Sequence, residues 1–213
     1  MVAWTIVVAG GSGDRFGAAK QFARLGGPTV LDRAVGVARE ACDAVVVVLP
    51  AGAEWKPPDR VQTAAGGATR SDSVRAGLAL VPDEVDIIVV HDAARPLASR
   101  ALFAAVIGAV AAGADAAVPA VAVVDTVKRI AAGRVVETIP RADLVLVQTP
   151  QAFRAARLRA AHAYGGVDTD DAALVEAAGG TVAVVPGESR NVKLTVAADL
   201  ELARALLDTG ASP

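Results

Sequence analysis

Three short apolar runs, rich in β-branched residues, constrain the fold more than anything else in this chain: residues 5–8, 44–49 and 86–90. None alternates apolar with polar residues, so none has a face meant for water. Strands of that kind belong inside a parallel sheet covered by helices on both sides. Helical patterns fall between and after them. Val30, Ala34, Val37 and Ala41 share one face of a helix, and Val74, Leu78 and Val81 share another. Further helices are expected near 154–163 and 169–178, a strand at 181–185 and a last helix near 196–208. That last helix has Asp199 in its first turn and Leu200, Ala203 and Leu207 on an apolar side. The alternation predicts one α/β domain over residues 1–213, built as a doubly wound, mainly parallel sheet. Ligands of such sheets bind beyond the carboxyl ends of the strands.

Two stretches break the rhythm. Residues 101–124 carry no charge except Asp115, and about 24 such residues could span a bilayer. Alanine gives little insertion energy, however, and Gly113, Asp115 and Pro119 interrupt the run. A helix over about 99–112, stopped by Gly113, and a strand over about 115–119 are expected instead. Residues 120–144 read as two extended stretches around Ala132-Gly133, a hairpin arm with too little apolar surface to bury itself. It should pack on its own domain or on a second subunit.

The net charge of −2 gives no general attraction to nucleic acid or to an anionic membrane, so any anion site must be local. The single cysteine, Cys42, rules out an intramolecular disulfide and a cysteine-built metal site, and is expected to be a buried, inert thiol. The first residues lack a basic segment, a long apolar segment and a cleavage site, so a cytoplasmic protein is expected.

The first strand runs into GGSGDRFGAAKQF, residues 10–22. Glycines let backbone N–H groups converge on one point, and such a nest holds phosphate oxygens. Arg15 and Lys20 add two fixed cations, which suits a triphosphate. Gly11, Gly13 and Gly17 are spaced one residue too widely for a dinucleotide fingerprint, and no Gly-Lys-Ser/Thr of a P-loop occurs. A second cluster, HDAARP at 91–96, follows the third strand. Asp92 stands at that strand's carboxyl end, and Arg95 adds a planar donor fork for phosphate or carboxylate. Asp92 is the candidate Mg²⁺ ligand, with most of the ion's coordination coming from substrate phosphates. A plainer reading pairs Asp92 with Arg95 in a surface turn. His91 reads as structural.

Seven strings in order carry a resemblance along nearly the whole chain: the glycine loop with Lys20-Gln21-Phe22, GGATRSDSVRAGL (66–78), VHDAARP (90–96), Asp125-Thr126 with Lys128, QTPQAF (148–153), TDDAALVE (169–176) and Asn191-Val192-Lys193-Leu194-Thr195. The chain resembles the 2-C-methyl-D-erythritol 4-phosphate cytidylyltransferases of the non-mevalonate isoprenoid pathway. The resemblance implies a Rossmann-like nucleotidyltransferase that joins CTP to a sugar-alcohol phosphate with Mg²⁺ and releases pyrophosphate. It implies that Arg15, Lys20 and Lys193 are catalytic. It places the nucleotide on Ala9, Gly10, Gly11, Ser12 and Gly13, on Gly66, Gly67 and Ser73, and on Asp92 and Ala93. The acceptor would meet Asp92, Arg95, Thr149, Thr169 and Lys193, with Thr126 and Arg141 reaching in from the arm of a homodimer partner. Thr169 also reads as a helix N-cap, Thr149 as a turn residue beside Pro150, and Lys193 as a cation at a helix entry.

The chain departs from the family's usual pattern in a shorter loop, in Ala19 where proline usually precedes the lysine, and in the opening Ala9-Gly10-Gly11. That opening is frequent in related enzymes acting on ribitol 5-phosphate, the alternative acceptor. A non-catalytic nucleotide sensor is the more distant alternative, opposed by the presence of Arg15, Lys20, Asp92 and Lys193. The length leaves no room for a fused second enzyme, so a single activity is expected.

Overall fold

The structure is a computed structural model that describes residues 1–11, 19–163 and 170–209. The expected strands form β1 (Ala3–Val8), β2 (Ala44–Leu49) and β4 (Ile87–Asp92), with β3 (Val61–Ala65) at one edge. The helices between them are α1 (Val30–Ala41) and α2 (Arg70–Leu78), each started by a threonine capping box, Thr29 with Asp32 and Thr69 with Asp72. The second half runs α3 (Arg100–Ala111), β5 (Ala116–Ala122), β6 (Val127–Ala131), β7 (Arg134–Ile139), β8 (Val145–Val147) and β9 (Gln151–Arg154). It ends with α4 (Ala155–Ala163), α5 (Asp171–Ala177), β10 (Val182–Pro186) and α6 (Ala197–Asp208).

The strands lie in the order β10-β5-β9-β4-β1-β2-β3, with β8 antiparallel on β5. All neighbours on that path are parallel except β9, which runs antiparallel between β4 and β5. Successive residues of one strand feed opposite cores. Val45 and Val47 of β2 join α1 and α3, whereas Val46 and Val48 join α2, α4 and α5. That is the physical reason these runs show no alternation. A third, smaller cluster of Leu25, Val30, Leu194 and Ala203 seats α6.

The apolar stretch 101–124 is divided between α3 and β5, and no described helix is long and apolar enough to cross a membrane. The arm is shorter than expected, because residues 120–122 belong to β5. Its core is the separate two-stranded sheet of β6 and β7, turning through Ala132 and Gly133. Both turn residues have positive φ (47° and 73°), as a two-residue hairpin turn matching strand twist requires. Val124, Ile130, Val135 and Val136 on and beside this arm are exposed.

Cys42 follows α1 and is half-buried rather than fully enclosed. Its Sγ accepts a hydrogen bond from Thr5 Oγ1 (3.1 Å), and burial pushes the thiol up to about 11, which fits an inert role.

Candidate active site

The strand register brings the motifs to one end of the sheet. Val8 lies beside Val48 and Asp92, and Leu49 lies beside Ala65. Ala9, Gly66 and Ala93 therefore leave their strands together, and backbone bonds lock them there: Ala9 N–H to Val48, Gly66 N–H to Leu49 and Ala93 N–H to Val8 (2.8, 2.7 and 3.0 Å).

Gly10, Gly66 and Ser73 meet face to face. A Cβ on Gly10 would stand 3.2 Å from Ser73 Oγ, and one on Gly66 would stand 3.0 Å from the same atom, so a larger residue at either place would crowd the Ser73 hydroxyl. The Ser73 hydroxyl accepts from Gly67 N–H (3.2 Å) and donates to the Thr69 carbonyl (3.1 Å). Its work is to hold the Gly66-Gly67 loop, leaving main-chain groups to face a ligand. Gly11 is exposed at the loop's start, and Ser12, Gly13, Arg15 and Thr169 lie outside the described residues.

Asp92 occupies the centre. Its Oδ2 takes Lys193 Nζ (2.7 Å) and its Oδ1 takes Arg70 Nε (3.3 Å). Burial alone would raise this carboxyl, but the two cations more than offset it and hold the group well below the usual carboxylate range. The expected alternative, an Asp92–Arg95 pair, is not what forms. Arg95 donates to the carbonyls of Asn191 (2.7 Å) and Val147 (3.4 Å), and burial lowers its pKa from the ordinary value. Asp92 N–H donates to Thr149 Oγ1 (3.0 Å), so Thr149 lines the same cleft. Lys20, in a 3-10 turn at Lys20–Phe22, donates through Nζ to the Leu194 carbonyl (2.7 Å), next to Lys193.

Arg70, Asp92, Arg95, Thr149, Asp170 and Lys193 provide the polar and charged lining of a cleft of about 160 Å³, together with Gln148 and Gln151. Thr126 and Arg141 are exposed on and beside the arm and line no part of it; Arg141 bonds to the Val124 carbonyl.

Two carboxylates at the cleft, Asp92 and Asp170, do not make a metal cage, and no group of three or more metal-ligating side chains occurs among the described residues. That donor set fits Mg²⁺ delivered on phosphates, which needs few protein ligands.

Sequence reasoning missed Arg70 and its buried partners. One signal was available: Arg70 is the first residue of α2, where the helix dipole opposes a cation.

His91 is fully buried, its Nδ1 3.1 Å from Thr149 Oγ1 and its ring edge-on to Phe103. Burial pushes the imidazole down to about 4, so it faces no ligand and carries no charge near neutrality. The unfolded chain binds this proton more readily than the native one. Stability from His91 is therefore complete above pH 6.5 and is lost as pH falls toward 4. Urea unfolding at pH 5 is expected to give a stability about 2 kcal/mol below that at pH 7.5. The same measurement on His91→Gln should show most of this slope removed, and an unchanged slope would exclude His91 as its source.

The family model for 2-C-methyl-D-erythritol 4-phosphate cytidylyltransferase (IspD) matches residues 3–209. A protein of that name from Rhodococcus jostii is 44% identical over 216 residues, covering 97% of this chain and 95% of the relative. A bifunctional IspD/IspF enzyme from Anaeromyxobacter dehalogenans is 48% identical over 220 residues, covering 95% of this chain and 56% of the relative. The chain thus spans about half the length of the bifunctional relatives it matches. Among solved structures, the Thermus thermophilus cytidylyltransferase superposes with a TM-score of 0.83 at 38% identity, covering 95% of this chain and 98% of that one.

Proposed function

Because the chain belongs to the 2-C-methyl-D-erythritol 4-phosphate cytidylyltransferase family, we propose that it transfers CMP from CTP to 2-C-methyl-D-erythritol 4-phosphate. The observation that carries this reading is the juxtaposition at one sheet end of the glycine pocket around Gly10 and Gly66 with the Asp92–Lys193 pair. The pocket's main-chain groups can meet a cytosine edge, and its closeness excludes a purine. A phosphate oxygen of the acceptor attacks the α-phosphorus in line, forming a P–O bond as the bond to the β-phosphate oxygen breaks and pyrophosphate leaves. The acceptor phosphate is largely dianionic at neutral pH, so no general base is needed.

Lys20 and Lys193 neutralise charge building on the α-phosphate, with Arg15 as a third cation from the glycine loop. For Lys193 this means leaving Asp92 for the phosphate. Asp92 would be the protein ligand of a Mg²⁺ ion carried in on the substrate phosphates, and the ion would supply charge neutralisation for the leaving group. Arg95 and Thr149 border the acceptor, and Thr169 is assigned with them. The exposed apolar residues of the arm favour packing against a second copy, with Thr126 and Arg141 supplied to the partner's acceptor site. A cytoplasmic location goes with this reading, since the first residues carry no targeting pattern.

Pyrophosphate release by purified protein tests the proposal. Release with CTP, Mg²⁺ and 2-C-methyl-D-erythritol 4-phosphate, and little with ribitol 5-phosphate or with ATP, is the expected result. Preference for ribitol 5-phosphate would overturn the acceptor, and release with neither would overturn the transfer.

A further inference from the structure

One buried charged group has no part in the chemistry above. Asp171, fully buried at the first turn of α5, accepts Arg70 Nη1 on Oδ2 (2.6 Å) and meets His162 Nε2 on Oδ1 (2.9 Å). The same guanidinium reaches Asp92 Oδ1 through Nε. A continuous chain thus runs from His162 on α4, through Asp171 and Arg70, to the carboxylate at the centre of the cleft.

Packing alone does not call for it. Leu158 and Ala161 of α4 and Ala172 and Val175 of α5 already sit in a common apolar core. Buried ion pairs are costly to desolvate and seldom add net stability over apolar residues. Arg70 also begins α2, where the helix dipole works against a cation. Burial pushes its guanidinium down, yet Asp92 and Asp171 raise it above the ordinary value, so the two carboxylates hold it in place.

We propose that Arg70, anchored by the buried Asp171–His162 pair, is a positioning residue for the transfer reaction, fixing the Asp92 carboxylate so that Oδ2 and Lys193 face the cleft. The role rests on the reading of the cleft as the transfer site. When Lys193 moves from Asp92 to a phosphate, Arg70 keeps the carboxylate in its orientation, because Asp171 holds the other side of the fork. A lysine could not do this, since one compact ammonium cannot bridge two carboxylates with planar geometry.

The test is a double-mutant cycle on pyrophosphate release, with thermal melting run in parallel. Arg70→Lys is expected to stay folded and to lower kcat/KM for CTP about tenfold, and Asp171→Asn to lower it by a similar factor. In an Asp92→Asn background, Arg70→Lys should change kcat/KM by less than about twofold, because its effect passes through Asp92. A merely structural role would lower the melting temperature and leave the cycle additive. Parental kinetics for Arg70→Lys, or equal losses in both backgrounds, would overturn the positioning role while leaving the cleft's function intact. A parental protein that releases no pyrophosphate would overturn the reading of the cleft, and this role with it. Arg70→Ala strands Asp171 and can fail to fold, so the lysine variant carries the test.

Discussion

Lys20→Ala is expected to lower kcat for pyrophosphate release about 10²–10³-fold, the usual effect of removing one preorganised charge donor from a reaction centre. Its ammonium is preorganised in a specific way. A one-turn 3-10 helix presents it, and the Leu194 carbonyl accepts one of its protons at 2.7 Å. The residue before the accepting Leu194, in the irregular segment ahead of α6, is Lys193, so the two lysines come from nearly opposite ends of the chain to adjacent sites. The loss should fall on kcat more than on KM for CTP, because charge on the α-phosphate grows toward the transition state. Fold damage should be slight, since one partly buried hydrogen bond contributes about 1 kcal/mol. Steady-state kinetics with a parallel melting curve separates the two effects. Turnover within a few-fold of the parent would remove Lys20 from the reaction centre.

Arg141→Ala is expected to lower kcat/KM for the acceptor about 10–100-fold with little change for CTP, as loss of a charge-assisted contact to a phosphate would do. The distinctive prediction comes from mixing. If the arm serves the partner's site, a dimer of Lys20→Ala with Arg141→Ala has one site with both defects and one with neither. Random co-assembly of two nearly inactive chains should then restore about a quarter of parental activity. An arm serving its own protomer would leave every site defective and restore nothing. Refolding the two variants together and assaying release distinguishes these outcomes directly.

The central half of the fold was legible because burial on two sides leaves a signature: β1, β2 and β4 are apolar at most positions that face either core, with Thr5 and His91 the fully buried polar exceptions. Of the three strands that escaped, β3, β8 and β9, two did so for plain physical reasons. β3, Val-Gln-Thr-Ala-Ala, is an edge strand with little of its surface buried, so its composition carries no strong preference. β9 has four residues and runs antiparallel into a gap between parallel strands, a choice made by the neighbours and not by local sequence. In the site, Asp92 and Lys193 stood out through motif position. Arg70, Asp171 and His162 did not: beyond the unfavourable place of Arg70 at the start of α2, what marks them is a buried pairing that joins Arg70 to Asp171 across 101 residues, and no local pattern encodes it. Ser73 was legible as a site residue, but its one hydroxyl proton goes to the Thr69 carbonyl, and the oxygen accepts from Gly67, so it ties those two together.

The wide sequence separation of the central contacts bears on synthesis. A ribosome releases the strands β3-β2-β1-β4 and the helices on them well before it releases Lys193, so the nascent chain can order much of its sheet early. It cannot yet neutralise Asp92 from the Lys193 side, nor give Lys20 the Leu194 carbonyl. Leu194 itself must bury against Leu25, Val30 and Ala203, which ties this last step to the docking of α6. Completion of the cleft therefore waits on residues 193 and 194, and a polypeptide interrupted before residue 193 would lack both the Asp92–Lys193 pair and the Lys20–Leu194 bond.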